Sequence, residues 1–170
     1  MRIVLCARAM VLLENPSESP CFGCGPKHPR GLRLAFEKMT APNGVDEVVC
    51  EYVPKPDEVG WPGLFHIGLL FLTMMETSYW AALTLGGRIM TVSGPVTFEP
   101  ARLPRVGRVF RSRAHLLGAA GGRLQIQCVA EDAKGNPHAT MDSAWVRASR
   151  AAVEKAGLSL PPYLLEDMEP

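Results

Sequence analysis

Between Leu64 and Leu85 apolar side chains follow one another with few interruptions, broken by His66, Gly68, Thr73, Glu76-Thr77-Ser78 and Thr84. A run this long, with so few charges, predicts a helix over about 65–85, apolar on most faces and therefore surrounded rather than lying on a surface. Gly86-Gly87 supplies the stop. At about 1.5 Å per residue the helix would be roughly 30 Å long. Elsewhere the pattern alternates. Leu32, Leu34 and Phe36 oppose Arg33 and Glu37; Val48, Cys50 and Tyr52 oppose Glu47 and Glu51. Both stretches, 32–38 and 45–53, read as half-buried strands. After the helix come four more: 89–99, with a bulge or edge position implied by Gly94-Pro95, then 108–117, 123–131 and 138–147.

The connections over 118–122 and 133–136 are short enough for hairpins, so these neighbours are antiparallel. The order is two strands, one long buried helix, four strands. That is an α+β arrangement in which an antiparallel sheet covers a central helix. A single sheet cannot enclose the helix on all sides, and a second copy of the chain is expected to complete the cover. Residues 1–20 read as an N-terminal leader and loop, 21–148 as the one folded domain, and 149–170 as a C-terminal extension with a short helix over 149–156.

Composition narrows the function classes. The 170 residues carry a net charge of +1, which gives no reason to expect nucleic acid as a partner. Five scattered cysteines do not form a disulfide framework, and a reducing, cytoplasmic compartment is the expectation. The apolar segments 1–13 and 64–75 lack, respectively, a small-residue cleavage site and the length to span a bilayer, so no membrane is expected. Met10 is an alternative start.

Chemistry concentrates in two places. The first is the helix head, Pro62-Gly63-Leu64-Phe65-His66-Ile67-Gly68, followed by Thr73 and Glu76 in the apolar run. The second is Cys21-Phe22-Gly23-Cys24-Gly25-Pro26, with His28 four residues on. Two cysteines and a histidine invite a zinc reading, but no second Cys/His pair follows, so no metal and no cofactor are expected and the loop is assigned to packing. Asp142, Ser143 and His138 share a strand without an elbow motif and do not read as a hydrolytic triad.

These marks together resemble the hotdog-fold acyl-CoA thioesterases, most closely the phenylacetate-pathway-like branch. The resemblance covers about 21–147 and includes Trp80, Phe98-Glu99-Pro100 and Val106-Gly107. It implies a homodimer or a dimer of dimers, with sites at the dimer interface and hydrolysis of a small or medium acyl-CoA. By that resemblance His66 and the Ile67 and Gly68 amides form the electrophilic end, where unsatisfied helix N–H groups meet a developing oxyanion. Glu76 assists water, with Thr73 nearby. The family's helix head is His-Gly-Gly, with a carboxylate nine positions after the histidine. Here the first glycine is Ile67 and the ninth position is Met75, so Glu76, about 100° further round the helix, is the remaining acid. As a buried carboxylate it needs a partner, expected to be backbone or an arginine of a second copy. Arg102, Arg105 and Arg108 are candidates for the coenzyme A phosphates. Two alternatives remain: an acyl-CoA or acyl-carrier binding protein that has lost the base, or a hotdog dehydratase-like enzyme working through His66.

Overall fold

Inward-facing positions of the alternating segments line one face of an antiparallel sheet, and the long helix lies against it. The computed structural model describes residues 10–13, 15, 17–86, 90–92, 94–147, 149–155 and 157. In chain order these form β1 (Val11–Leu13), β2 (Phe36–Thr40), β3 (Asp46–Tyr52), β4 (Val59–Trp61), β5 (Leu64–Phe65), α1 (Ile67–Gly86), β6 (Met90–Val92), β7 (Thr97–Pro100), β8 (Phe110–Ala120), β9 (Arg123–Asp132), β10 (Pro137–Arg147) and α2 (Arg150–Lys155). The main sheet runs β1-β2-β3-β8-β9-β10-β6, with β7 also paired to β10; β4 and β5 form a separate small hairpin.

The core follows the two-residue period. Val48, Cys50 and Tyr52 of β3, Phe110 and Ala114 of β8, Ile126, Cys128 and Ala130 of β9, and Ala139, Met141 and Trp145 of β10 are buried. Leu70, Met74 and Ala81 of α1 meet them. Phe65, Tyr52 and Phe110 form a ring cluster beneath the start of the helix, and Trp80 stacks on Phe36 at 5.2 Å to fix its later half to β2. Thr73 and Thr77 are fully buried; each hydroxyl donates to the carbonyl four residues back, Leu69 at 2.8 Å and Thr73 at 2.7 Å, so neither is left unsatisfied. On the outer face Arg113 lies between Glu47 and Glu131, at 2.9 and 3.0 Å.

Several elements differ from the sequence expectation. The stretch 32–38 is half loop. Leu32 and Leu34 are buried as the alternation requires, but their amides bond to Phe22 O and Gly23 O, so the strand begins only at Phe36. Arg33 turns the chain there with φ +56°. The stretch 89–99 is two strands, β6 and β7, separated around Gly94 (φ +90°), both pairing with β10. The first three described strand residues, Val11–Leu13, pair with β2 inside a segment read as leader and loop. The sheet covers one side of α1; Phe71, Leu72, Met75, Tyr79 and Leu83 on another side are only partly buried. Ser93, Gly87 and Ala156 lie outside the described residues. No described helix is long and apolar enough to cross a membrane.

Candidate active site

The Cys21-Phe22-Gly23-Cys24-Gly25 loop is wound tightly by its own backbone. Gly25 N–H donates to Cys21 O at 2.8 Å, and Cys24 N–H to Cys21 Sγ at 3.4 Å. The 32–34 segment straps it through the two amides already described, and Asn15 Nδ2 donates to Cys24 O at 2.8 Å. The loop presses onto α1 at Glu76. A Cβ at Gly23 would stand 2.5 Å from Glu76 Cγ and 2.7 Å from Oε1, so only glycine allows the approach. Cys21 Sγ reaches Glu76 Oε1 at 3.3 Å. Within its own chain the carboxylate therefore finds its partner in the Cys21 side chain, where backbone was one of the expected partners. The contact also corrects the assignment of the loop to packing alone.

The three acidic groups perturb one another. Hydrogen bonding from the Cys24 thiol holds Cys21 well below the usual thiol range, at about 5, against the opposing effect of burial. Cys24, donating that bond, is pushed up, further still by burial and by the charge on Glu76. Burial raises Glu76 to about 7, and the negative charge on Cys21 adds to it.

Glu76, Cys21 and Cys24 stand on the wall of a cavity of about 580 Å³, otherwise lined mainly by apolar side chains that include Phe71, Met75, Tyr79 and Trp145. Met75 and Glu76 face the same cavity. Glu76, one residue after Met75, keeps a carboxylate on this wall, and the cysteine loop meets it there.

At the head of α1, His66, Ile67 and Gly68 are exposed. His66 Nδ1 accepts the Gly68 N–H at 3.0 Å, so the imidazole caps the helix and that amide is engaged. The Ile67 N–H, first in the helix, has no acceptor among the described residues. The hydroxyl of Thr73 is turned to the Leu69 carbonyl and does not line the cavity. A second cavity, of about 920 Å³, lies beside the helix head and includes Leu64, Arg102, Arg105, Arg108, Lys134 and His138 on its wall. Leu64 of β5 bridges directly to Arg105. Arg102 is committed to the β9–β10 turn, donating to Asp132 at 2.7 Å and to the Asn136 and Pro137 carbonyls at 2.9 and 3.1 Å. Arg105 and Arg108 have no ion pair among the described residues. His138, buried against Phe110 with Nδ1 near Arg102 O, is pushed down by desolvation.

Comparison with solved structures settles the fold. A thioesterase superfamily protein superposes with TM-score 0.64 at 16% identity, over 76% of this chain and 60% of that one. The chain thus spans about 60% of that protein's length. The Escherichia coli PaaI protein from the phenylacetic acid degradation operon matches with TM-score 0.61 at 14% identity, over 69% of this chain and 81% of that one. A hypothetical thioesterase from Streptococcus pneumoniae TIGR4, solved with coenzyme A, matches with TM-score 0.55 at 12% identity, over 60% and 84%. This chain has the hotdog fold. No family model and no curated protein sequence matches it.

Within the hotdog frame, sequence reasoning located Glu76 and the helix head but missed the cysteine loop as part of the same wall. The signal was present in Gly23 and Gly25, which flank Cys24. Glycines so placed mark a loop that another element must approach closely.

Proposed function

We propose that the protein hydrolyses the thioester of a small or medium acyl-CoA, in a site completed by a second copy of the chain. The observation that carries this reading is Glu76: a half-buried carboxylate, raised to about 7, on the wall of a largely apolar cavity. A group poised near neutrality suits general-base work. Water attacks the thioester carbon as Glu76 takes its proton, the C–S bond breaks, and the departing thiolate takes the proton back. The acyl chain would lie among Phe71, Met75, Tyr79 and Trp145. The developing oxyanion would meet the N-terminal end of α1 and the Ile67 amide. His66 serves this end as the cap that holds it.

Glu76 lies nine residues beyond Ile67, about 13 Å along the axis. One chain cannot offer both to a single carbonyl, whereas two antiparallel helices from two copies can. A homodimer or a dimer of dimers follows, and the partly covered apolar side of α1 supports it. Arg105 and Arg108, beside the helix head, are suited to the phosphates of coenzyme A. The Streptococcus pneumoniae protein of the same fold was solved with that molecule. Free thiols at Cys21, Cys24, Cys50 and Cys128 fit a reducing, cytoplasmic setting.

Purified protein assayed against acyl-CoAs of graded chain length is expected to release free thiol, and Glu76→Gln to lose most of that release. No release with any substrate, alongside measurable acyl-CoA binding, would replace this reading with a binding protein, which Met75 on the cavity wall favours. Retained release in Glu76→Gln would keep the enzyme and remove its base. A dehydratase route through His66 is disfavoured because its Nδ1 is occupied by the Gly68 amide.

A further inference from the structure

Cys21, Cys24 and Glu76 bring one Sγ, a second Sγ and a carboxylate oxygen within 4.8 Å of one another. We propose that this cluster is a binding site for one divalent cation of the zinc class, held by two thiolates and a carboxylate, with the fourth position open to the α1 cavity. Sequence spacing alone pointed away from a metal, because it supplied only the two cysteines and His28. The fold replaces His28: its ring packs edge-on to Phe22, and its Nδ1 accepts the Arg30 N–H at 3.2 Å. Glu76, more than fifty residues further along the chain, takes the third place.

Geometry and chemistry agree. Around tetrahedral zinc, Zn–S bonds of about 2.3 Å and Zn–O bonds of about 2.0 Å put sulfur and oxygen roughly 3.5 Å apart. The Cys21 Sγ to Glu76 Oε1 distance is 3.3 Å. The loop has the form of a metal-binding knuckle: Cys24 N–H points at Cys21 Sγ, Gly25 N–H closes the turn onto Cys21 O, and neither Gly23 nor Gly25 has room for a Cβ. Amide donors to sulfur stabilise a thiolate ligand and fix its direction. Three acidic groups packed together in a half-buried place repel as they ionise, and one divalent cation relieves that repulsion. Two protein thiolates and one carboxylate leave the fourth position of a tetrahedral ion to water or ligand, as open zinc sites do. Binding displaces into the buffer whatever protons the two thiols and Glu76 hold at the working pH.

The inference shares Glu76 with the hydrolytic reading without resting on it, since metal binding is measured without turnover. The full-length protein, stripped with a chelator, is titrated with Co²⁺ and then with Zn²⁺. One equivalent of Co²⁺ per chain is expected, with thiolate-to-metal charge-transfer absorption and tetrahedral visible bands, both lost as Zn²⁺ displaces it. Loss of a ligand should weaken binding at least as much as loss of an outer partner does, about tenfold or more. Cys24→Ser is expected to do so and to reduce the charge-transfer intensity. Glu76→Gln should weaken binding while keeping that absorption, and His28→Ala should leave both unchanged. Wild-type protein that takes up Co²⁺ without thiolate absorption, or takes up none, overturns the proposal whatever the variants do. So does full affinity in folded Cys24→Ser.

Discussion

Glu76 answers to two neighbours: the apolar helix around it, which raises its proton affinity, and Cys21, whose thiol it meets at 3.3 Å. Because a base must be deprotonated to accept a proton from water, hydrolysis is expected to be low in mild acid. It should climb through about 7 as Glu76 ionises. A pH–rate profile of kcat/KM measures this, and the rising limb should vanish in Glu76→Gln. A limb that persists unchanged in that variant assigns the titration to another group. Gly23 is the complementary residue. Its missing side chain lets the loop close on Glu76.

The elements that matter most are the two ends of α1's first half. At its N-terminus the His66 imidazole accepts the Gly68 amide and fills the place usually taken by Ser, Thr, Asp or Asn. His66→Ala is therefore expected to lower stability by about 1 kcal/mol in chemical denaturation. His66→Asn should recover most of it, since an amide oxygen can accept the same bond. If His66 acts only as this cap, His66→Asn also recovers activity; a proton-transferring histidine would not be rescued. Beside the same terminus, Leu64 of β5 bridges to Arg105, and neither Arg105 nor Arg108 has an ion pair among the described residues. Replacing both Arg105 and Arg108 with Gln is expected to raise KM for acyl-CoA with little change in kcat. The salt dependence of KM should fall as well, because the lost contribution is mainly attraction to phosphate. An unchanged KM would move the phosphates elsewhere.

For the molecule as a whole, the decisive feature is that one sheet covers one side of one helix. The partly exposed side carries Phe71, Leu72, Met75, Tyr79 and Leu83, a poor surface for a lone chain in water. Sedimentation at micromolar concentration is expected to show a dimer or a multiple of it; a monomer would leave the helix head and Glu76 of different chains unable to meet. Much of this architecture was legible beforehand. The long apolar run over 64–85, with its few interruptions, read as a buried helix, and the two-residue alternation over 45–53, 108–117, 123–131 and 138–147 read as strands with one wet face. Less legible were β1, the break between β6 and β7, and the start of β2. These depend on which backbone groups find partners across the sheet, not on local period.

By itself the chain's pattern of apolar and polar positions determined the fold class, the extent of α1 and the carboxylate worth watching, because burial enforces periodicity residue by residue. The tertiary structure alone decided what that carboxylate touches. Cys21 and Glu76 are separated by 55 positions, and no local spacing records that a glycine-relieved loop will fold onto the third turn of a helix. The same holds for His28, which sequence proximity assigned to the cysteines and packing against Phe22 took away. Long-range contact is selected by the fit of whole surfaces, and that fit exists only once sheet, helix and loop are assembled.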